Sequence, residues 1–272
     1  MTSETFETPD TTTLARTDVL PAGILLDMDG TLVDSEPHWI AGEQKLAALH
    51  GTVWTHEDAL ANVGTPMPVF AAALQARGVP LSIDEIITWL LAYMVEAVSG
   101  NVIWRPGAQE LLAKLSEAGI PCAIGTMAYR ELAEIVVASA PEGIFQALVA
   151  GDDVTSGKPH PEPYLTGAAR LGVDPAHCVA IEDTLNGTLS AEAAGVPALV
   201  VPNVKLVPAA PGRSRVSSLH EIGITELAQI RAGRTIDTIR DDWSPEAAHA
   251  VPGYDRNQHG SDANHRCGAI AS

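Results

Sequence analysis

Asp27 and Asp29 stand two positions apart in Asp27-Met28-Asp29-Gly30-Thr31-Leu32, where the apolar run that begins at Gly23 meets a glycine. Extended backbone alternates its side chains, so both carboxylates project to one side and converge on one small volume. A second apolar run, Val179-Ala180-Ile181, delivers Glu182 and Asp183 in the same way, followed by Asn186-Gly187. A polar turn after the first run would use the same residue types, as would capping of a following helix by Asp183 or Thr184. Together, however, the two pairs place up to four negative charges at one edge, and these cannot all stay ionised without compensation. A hard divalent cation held by oxygen ligands is the natural remedy, and Mg²⁺ fits a site with few carboxylates and room for water and phosphate.

Two further residues are placed to serve that site. Lys158 lies in Ser156-Gly157-Lys158-Pro159-His160-Pro161-Glu162-Pro163, where the prolines restrict the loop around one lysine. Thr126 ends the run Pro121-Cys122-Ala123-Ile124-Gly125. Its hydroxyl and the amides that follow could bind an anion near a helix N-terminus. Taken singly, each is also an ordinary surface lysine or strand-ending threonine.

The elements that must position these residues follow from hydrophobic patterning. Strands are expected at 23–28, 120–126, 147–150, 178–182 and 197–201, with helices at about 107–118, 129–139, 161–172 and 185–194. Continuous apolar strands separated by helices indicate a doubly wound α/β domain, a Rossmann-like parallel sheet covered on both faces. Ligands bind such sheets at the carboxyl edge, where both acidic pairs fall. Residues 36–104 break the rhythm with successive helices at about 37–49, 56–62, 66–77 and 83–98. About seventy residues is too long for a crossover loop, so this is an inserted α-helical domain. The expected division is an N-terminal tail at 1–20, a core formed by 21–35 and 105–232, the insertion at 36–104, and a mobile C-terminal tail at 233–272. His249, His259, His265 and Cys267 in that tail match no metal-ligand spacing.

Composition excludes several function classes. The chain has 272 residues, with 16 Lys+Arg against 34 Asp+Glu and a formal charge of −18, while 46% of residues are hydrophobic. That describes a globular chain with material for a core, and its acid excess repels nucleic-acid phosphates and anionic membrane surfaces. The longest apolar run, Ile86–Val95 with Thr88 inside it, is about half the roughly twenty residues a bilayer requires. The acidic start of the chain lacks the basic and apolar regions of a signal peptide, and Cys122, Cys178 and Cys267 are odd in number. A cytoplasmic protein with free thiols is expected, with no obligate protein partner evident.

The ordered set formed by the aspartate pair before Gly30-Thr31, Thr126, Gly157-Lys158-Pro159 and Glu182-Asp183 resembles the haloacid dehalogenase superfamily of phosphotransferases over about residues 22–230. Arg105-Pro106-Gly107 belongs to the same resemblance, and the insertion is similar to the cap of the subgroup that includes small phosphatases and β-phosphoglucomutase. The resemblance implies that Asp27 is the nucleophile and Asp29 the general acid and base. It implies that Thr126 hydrogen-bonds the transferring phosphoryl group and that Lys158 offsets negative charge. Asp27, Asp183 and the backbone carbonyl of Asp29 would hold Mg²⁺, with Glu182 acting through water. Gly30 and Met127 at the sheet edge, and Glu36 and Thr65 in the insertion, are candidates for substrate contact, as are His38 and Trp39. Packing or helix capping is the plainer use of the insertion residues.

Within the superfamily, Asp29, Glu182 and Asp183 argue against carbon–halogen hydrolysis, which uses neither a leaving-group acid nor Mg²⁺. Lys45 is the lysine between Glu36 and Trp104 and lies on an amphipathic helix, which disfavours a Schiff-base phosphonatase. A phosphosugar mutase would carry basic residues near the loop at Val63–Met67, where the insertion offers only Arg77. The expected activity is therefore Mg²⁺-dependent hydrolysis of a small phosphomonoester, such as a sugar phosphate, through an aspartyl phosphate. The alternatives are a mutase and a non-catalytic binding protein on the same fold.

Overall fold

The structure is a computed structural model that describes residues 19–245. Its centre is a six-stranded parallel sheet: β1 (Gly23–Leu26), β2 (Cys122–Gly125), β3 (Phe145–Val149), β4 (Cys178–Glu182), β5 (Ala198–Val200) and β6 (Ser214–Arg215), in the order β3-β2-β1-β4-β5-β6. β1, β2 and β4 are buried throughout, as expected of strands covered on both faces. Their side chains alternate between two cores. Ile24, Leu26, Ile124 and Ile181 pack with α5 (Ala108–Glu117), α6 (Arg130–Ser139) and α9 (Ile224–Arg231). Leu25, Ala123 and Ala180 face α7 (Glu162–Leu171) and α8 (Leu185–Ala193), where small residues such as Ala168 and Ala191 let the helices approach closely.

Register decides where the chemistry falls. Leu26 is level with Ile124 on one side and Ile181 on the other, so β1, β2 and β4 run out together. The residues that follow, Asp27 and Thr126, therefore emerge beside Glu182 at one carboxyl edge.

The insertion comprises α1 (Glu36–Leu49), α2 (His56–Asn62), α3 (Met67–Ala76) and α4 (Ile83–Val98). α2 and α4 begin with reciprocal capping boxes, Thr55 with Asp58 and Ser82 with Glu85, which satisfy backbone donors at each start. The four helices bury an apolar cluster of their own that includes Leu46, Trp54, Phe70, Leu74, Ile86 and Leu90. Entry and exit lie side by side: Val33 bridges antiparallel to Trp104, the Asp34 N–H donates to the Ile103 carbonyl at 2.8 Å, and the Arg105 N–H donates to the Leu32 carbonyl at 2.8 Å.

Three features differ from the sequence reading. β6 is two residues long and α9 eight, and neither is among the expected elements. The C-terminal tail does not begin at 233. The Arg215 N–H donates to the Ile236 carbonyl at 2.7 Å, the Thr238 N–H donates to the Arg215 carbonyl at 2.9 Å, and Asp237 pairs with Arg215 at 2.7 Å. These contacts extend the ordered edge of the sheet beyond 232, and alternating small and polar residues conceal it. Cys122 and Cys178 are buried free thiols. Residues 1–18 and the tail residues His249, His259, His265 and Cys267 lie outside the described residues. Among the described residues no helix is long and apolar enough to cross a membrane.

Gly107, just before α5, has φ +83, and a Cβ there would lie 2.5 Å from the His220 nitrogen and 2.7 Å from the Leu219 carbonyl carbon. Neither backbone atom can yield. Gly107→Ala is expected to destabilise the fold by about 2–4 kcal/mol, combining left-handed strain with the clash. Thermal denaturation should show a fall of roughly 5–10 °C; an unchanged Tm would refute the close approach.

Candidate active site

The strand ends bring Asp27, Asp29, Thr126, Lys158, Glu182 and Asp183 to one place. The Asp27 N–H donates to the Ile181 carbonyl at 3.0 Å, which extends the β1–β4 pairing by one residue and fixes the carboxylate against the end of β4. Gly30 follows with φ +80, and a Cβ there would lie 2.1 Å from Asp183 Oδ2, so this turn must be glycine for the two acidic segments to meet. The Gly30 N–H donates to the Val33 carbonyl at 2.8 Å. Gly30 therefore supplies clearance for the two acidic segments, with its amide committed to the Val33 carbonyl.

The two aspartates have different surroundings. Lys158 Nζ lies 2.6 Å from Asp27 Oδ1 and 2.6 Å from Glu182 Oε1, with Lys158 itself 3% exposed. It reaches them from the loop after β3, whose Lys158–Pro159 peptide is cis, and the Lys158 N–H donates to Met127 Sδ at 3.3 Å. Burial opposes the lysine's charge, but Asp27 and Glu182 outweigh it and hold its pKa above the ordinary value. Burial and the Glu182 charge raise the Asp27 carboxyl, while Lys158 draws it back. Asp29 has neutral donors: Ser35 Oγ at 2.5 Å, Trp39 Nε1 at 3.3 Å and Thr126 Oγ1 at 3.4 Å. Burial raises its pKa against those hydrogen bonds. Thr126 Oγ1 also accepts from the Ala128 N–H at 3.0 Å, which orients the hydroxyl.

The donor set suits a hard cation. Asp27, Glu182 and Asp183 each offer an oxygen within 4.8 Å of the others. Glu182 is largely committed: Oε1 accepts from Lys158 and the Tyr164 hydroxyl, and Oε2 accepts from the Asp183 N–H at 3.2 Å and Thr184 Oγ1 at 3.3 Å. Asp183 is more open. Its Oδ1 accepts from Thr31 Oγ1 at 3.4 Å, whereas its buried Oδ2 has no hydrogen-bond partner. Burial raises its pKa, and the charges of Asp27, Glu182 and Glu36 add to that. Asn203, fully buried beside Gly30, likewise has neither amide atom hydrogen-bonded. An all-oxygen cluster with an orphaned buried carboxylate oxygen matches Mg²⁺ rather than a soft metal. The Asp29 carboxylate is turned away, towards Ser35, Trp39 and Thr126, and is not part of the cluster.

A cleft of about 730 Å³, counted to its open mouth, separates this edge from the insertion. Asp27, Asp29 and Lys158 form its floor, and Met127, Glu36 and Thr65 line it. Asn186 Nδ2 donates to the Gly64 carbonyl at 3.0 Å, holding the loop before α3 over the floor. His38 is buried, in keeping with the packing role read from sequence. Sequence reading missed Ser35, Tyr164, Asn203 and Glu43. Only the spacing of Trp39 and Glu43 from Glu36 on one helix offered a signal for the last of these.

Glu43 is a buried acid on α1 whose Oε2 accepts from Trp54 Nε1 at 2.7 Å. Burial pushes its pKa up to about 7, with the Trp54 hydrogen bond opposing. The folded protein therefore keeps this proton at pH values where the unfolded chain, near 4.5, has lost it. Stability from this group is complete below about pH 4.5 and falls as pH rises towards 7. Glu43→Gln is expected to be near neutral at pH 4.5 and stabilising by about 1–3 kcal/mol at pH 8. Denaturant unfolding at the two pH values measures the difference; equal effects at both would contradict it.

The model of the haloacid dehalogenase-like hydrolases matches residues 21–195. Hexitol phosphatase B of Escherichia coli strain K12 is 32% identical over 183 residues, covering 65% of this chain and 82% of that protein. The bifunctional riboflavin kinase/FMN phosphatase of Arabidopsis thaliana is 30% identical over 191 residues, 68% of this chain, and the match spans 49% of that longer protein. Among solved structures, a CbbY variant from Rhodobacter sphaeroides in complex with xylulose-(1,5)bisphosphate is 28% identical with a TM-score of 0.68, covering 75% of this chain and 97% of that one. Because the family match takes in every acidic strand end of the site and more than half of the sequence, the chain belongs to the haloacid dehalogenase-like hydrolases.

Proposed function

We propose that the protein is a Mg²⁺-dependent phosphatase acting on a small phosphomonoester with an uncharged, hydroxyl-bearing leaving group, through an aspartyl phosphate on Asp27. The observation that carries this reading is the contrast between the two aspartates. Asp27 touches the buried cation Lys158, whereas Asp29 is surrounded by neutral donors. Neighbouring carboxylates with divergent environments divide naturally into nucleophile and proton carrier.

Asp27 attacks phosphorus in line, and the bond to the leaving oxygen breaks as Asp29, whose burial favours its protonated form, gives that oxygen its proton. Asp29 is then a carboxylate. It takes a proton from water, whose oxygen attacks the phosphoryl group and releases Asp27 and inorganic phosphate. Thr126 and Lys158 hold the transferring group, and Lys158 offsets its charge. Asp27, Asp183 and the Asp29 carbonyl would hold Mg²⁺, with Glu182 acting through water; the ion supplies positive charge that lets an anionic nucleophile approach an anionic phosphate. The insertion excludes bulk water while the cleft is closed.

The limits on the leaving group come from charge. Among the described residues lining the cleft, Lys158 is the cation, and it is already shared by Asp27 and Glu182. Arg77 is engaged elsewhere, paired with Asp58 and lying 5.8 Å over the Trp54 ring. A second phosphate therefore lacks an anchor and meets Glu36 and Glu43, which disfavours a mutase that works through a bisphosphate. The likeness to hexitol phosphatase B supports a neutral polyhydroxy substrate.

Phosphate release from a panel of sugar, polyol, glycerol and nucleotide monophosphates, with phosphoglycolate, should require Mg²⁺ and disappear with chelator. Asp27→Asn should lower kcat by about a thousandfold or more. Wild-type turnover in that variant would remove the mechanism. Phosphate transfer between sugar positions without release would replace it with the mutase.

A further inference from the structure

α1 presents Glu36, Trp39 and Glu43 to the cleft, three residues on one helical face. Trp39 donates to Asp29, so its level in the cleft is that of the group assigned to protonate the leaving oxygen. At about 1.5 Å per residue, Glu43 lies roughly 6 Å further along, the length of about four to five bonds of an extended carbon chain. It sits among residues of the insertion, 6% exposed, with Trp54 Nε1 on one oxygen and the cleft before it.

Nothing in the packing calls for a carboxylate there. An isosteric amide would fill the space and still accept from Trp54 Nε1 without the cost of keeping an acid from water. Asn62 Nδ2 gives one of its two N–H groups to the Asp58 carbonyl at 2.8 Å, and the Thr65 hydroxyl donates to the Asn62 carbonyl at 2.7 Å. Glu43 and Thr65 line the cleft and keep oxygen lone pairs there, so each can accept from a ligand that donates. A hydroxyl does so without bringing a charge into a water-poor cleft, whereas a carboxylate or second phosphate brings only acceptors.

We infer that Glu43 is a specificity-determining residue that accepts hydrogen bonds from hydroxyl groups on the far end of the leaving group, about four carbons from the ester oxygen, and so selects phosphates of longer polyols. This subsite deepens the phosphatase reading and rests on it. The Trp54 N–H occupies one of the Glu43 oxygens, Oε2, at 2.7 Å.

The test compares sorbitol 6-phosphate with phenyl phosphate, which has no hydroxyl on its leaving group, using the full chain with Mg²⁺. The readout is the ratio of kcat/KM for the two compounds, with thermal melts to confirm folding. Glu43→Ala should lower the ratio by about tenfold or more, mainly through KM for the polyol phosphate, and Glu43→Gln, which keeps an acceptor, should lower it less. Trp54→Phe should leave the ratio within about threefold of wild type. A ratio unchanged in Glu43→Ala overturns the inference, as does the same loss in Trp54→Phe, which would make Glu43 a support for the tryptophan. Wild-type preference for glucosamine 6-phosphate over sorbitol 6-phosphate also overturns it, in favour of a cation subsite. No turnover of any of these compounds removes the phosphatase reading itself, whereas turnover with an unmoved ratio removes only the role of Glu43.

Discussion

A buried lysine, within hydrogen-bonding distance of carboxylates from two neighbouring strands, governs the architecture of this site. Lys158 Nζ joins Asp27, at the end of β1, to Glu182, at the end of β4, from a loop that belongs to neither. Replacing such a pair with apolar residues is often neutral or stabilising, so its presence speaks for chemistry more than for stability. Removing only the lysine would leave acids massed at the sheet edge with no compensation. The proline-flanked loop, the central position of β1 and the level register of three strands are all needed to keep that contact in place.

The same compression explains why the site departs from good packing practice. Asp183 keeps a buried oxygen without a donor, Asn203 keeps a whole amide without one, and Glu43 holds an acid in an apolar insertion. Buried polar groups in this condition normally cost stability, and they cluster where a ligand or ion completes the set. All three border the cleft or its acidic floor.

What could be read from the sequence follows from how locally each feature is encoded. A buried parallel strand is an apolar run, and an acid at its end is visible as a break in that run, so Asp27, Asp29, Glu182 and Asp183 stood out together with the α/β architecture. The helical insertion was equally legible, since Thr55 and Ser82 mark helix starts and Gly and Pro separate the segments. Partners that converge only through tertiary structure were silent. Nothing near Tyr164 or Asn203 announces that one meets Glu182 and the other lies beside Gly30. β6 is too short and too polar to show a period, and residues 236–238 join it through backbone hydrogen bonds that carry no side-chain signature.

The antiparallel contact between Val33 and Trp104 has a further consequence for the chain as a polymer. Closing a flexible loop of this length would carry an entropic penalty borne by the core. Here the closure is already made by the bridge and by the hydrogen bonds of Asp34 and Arg105 with Ile103 and Leu32, so β1 and α5 are joined as if by a hairpin. The bridge fixes where the insertion leaves and rejoins the core, and Tyr93, Met94 and Val98 of α4 add packing contacts with the core cluster. Residues added to the insertion away from this neck would therefore leave the closure that the core must bear unchanged.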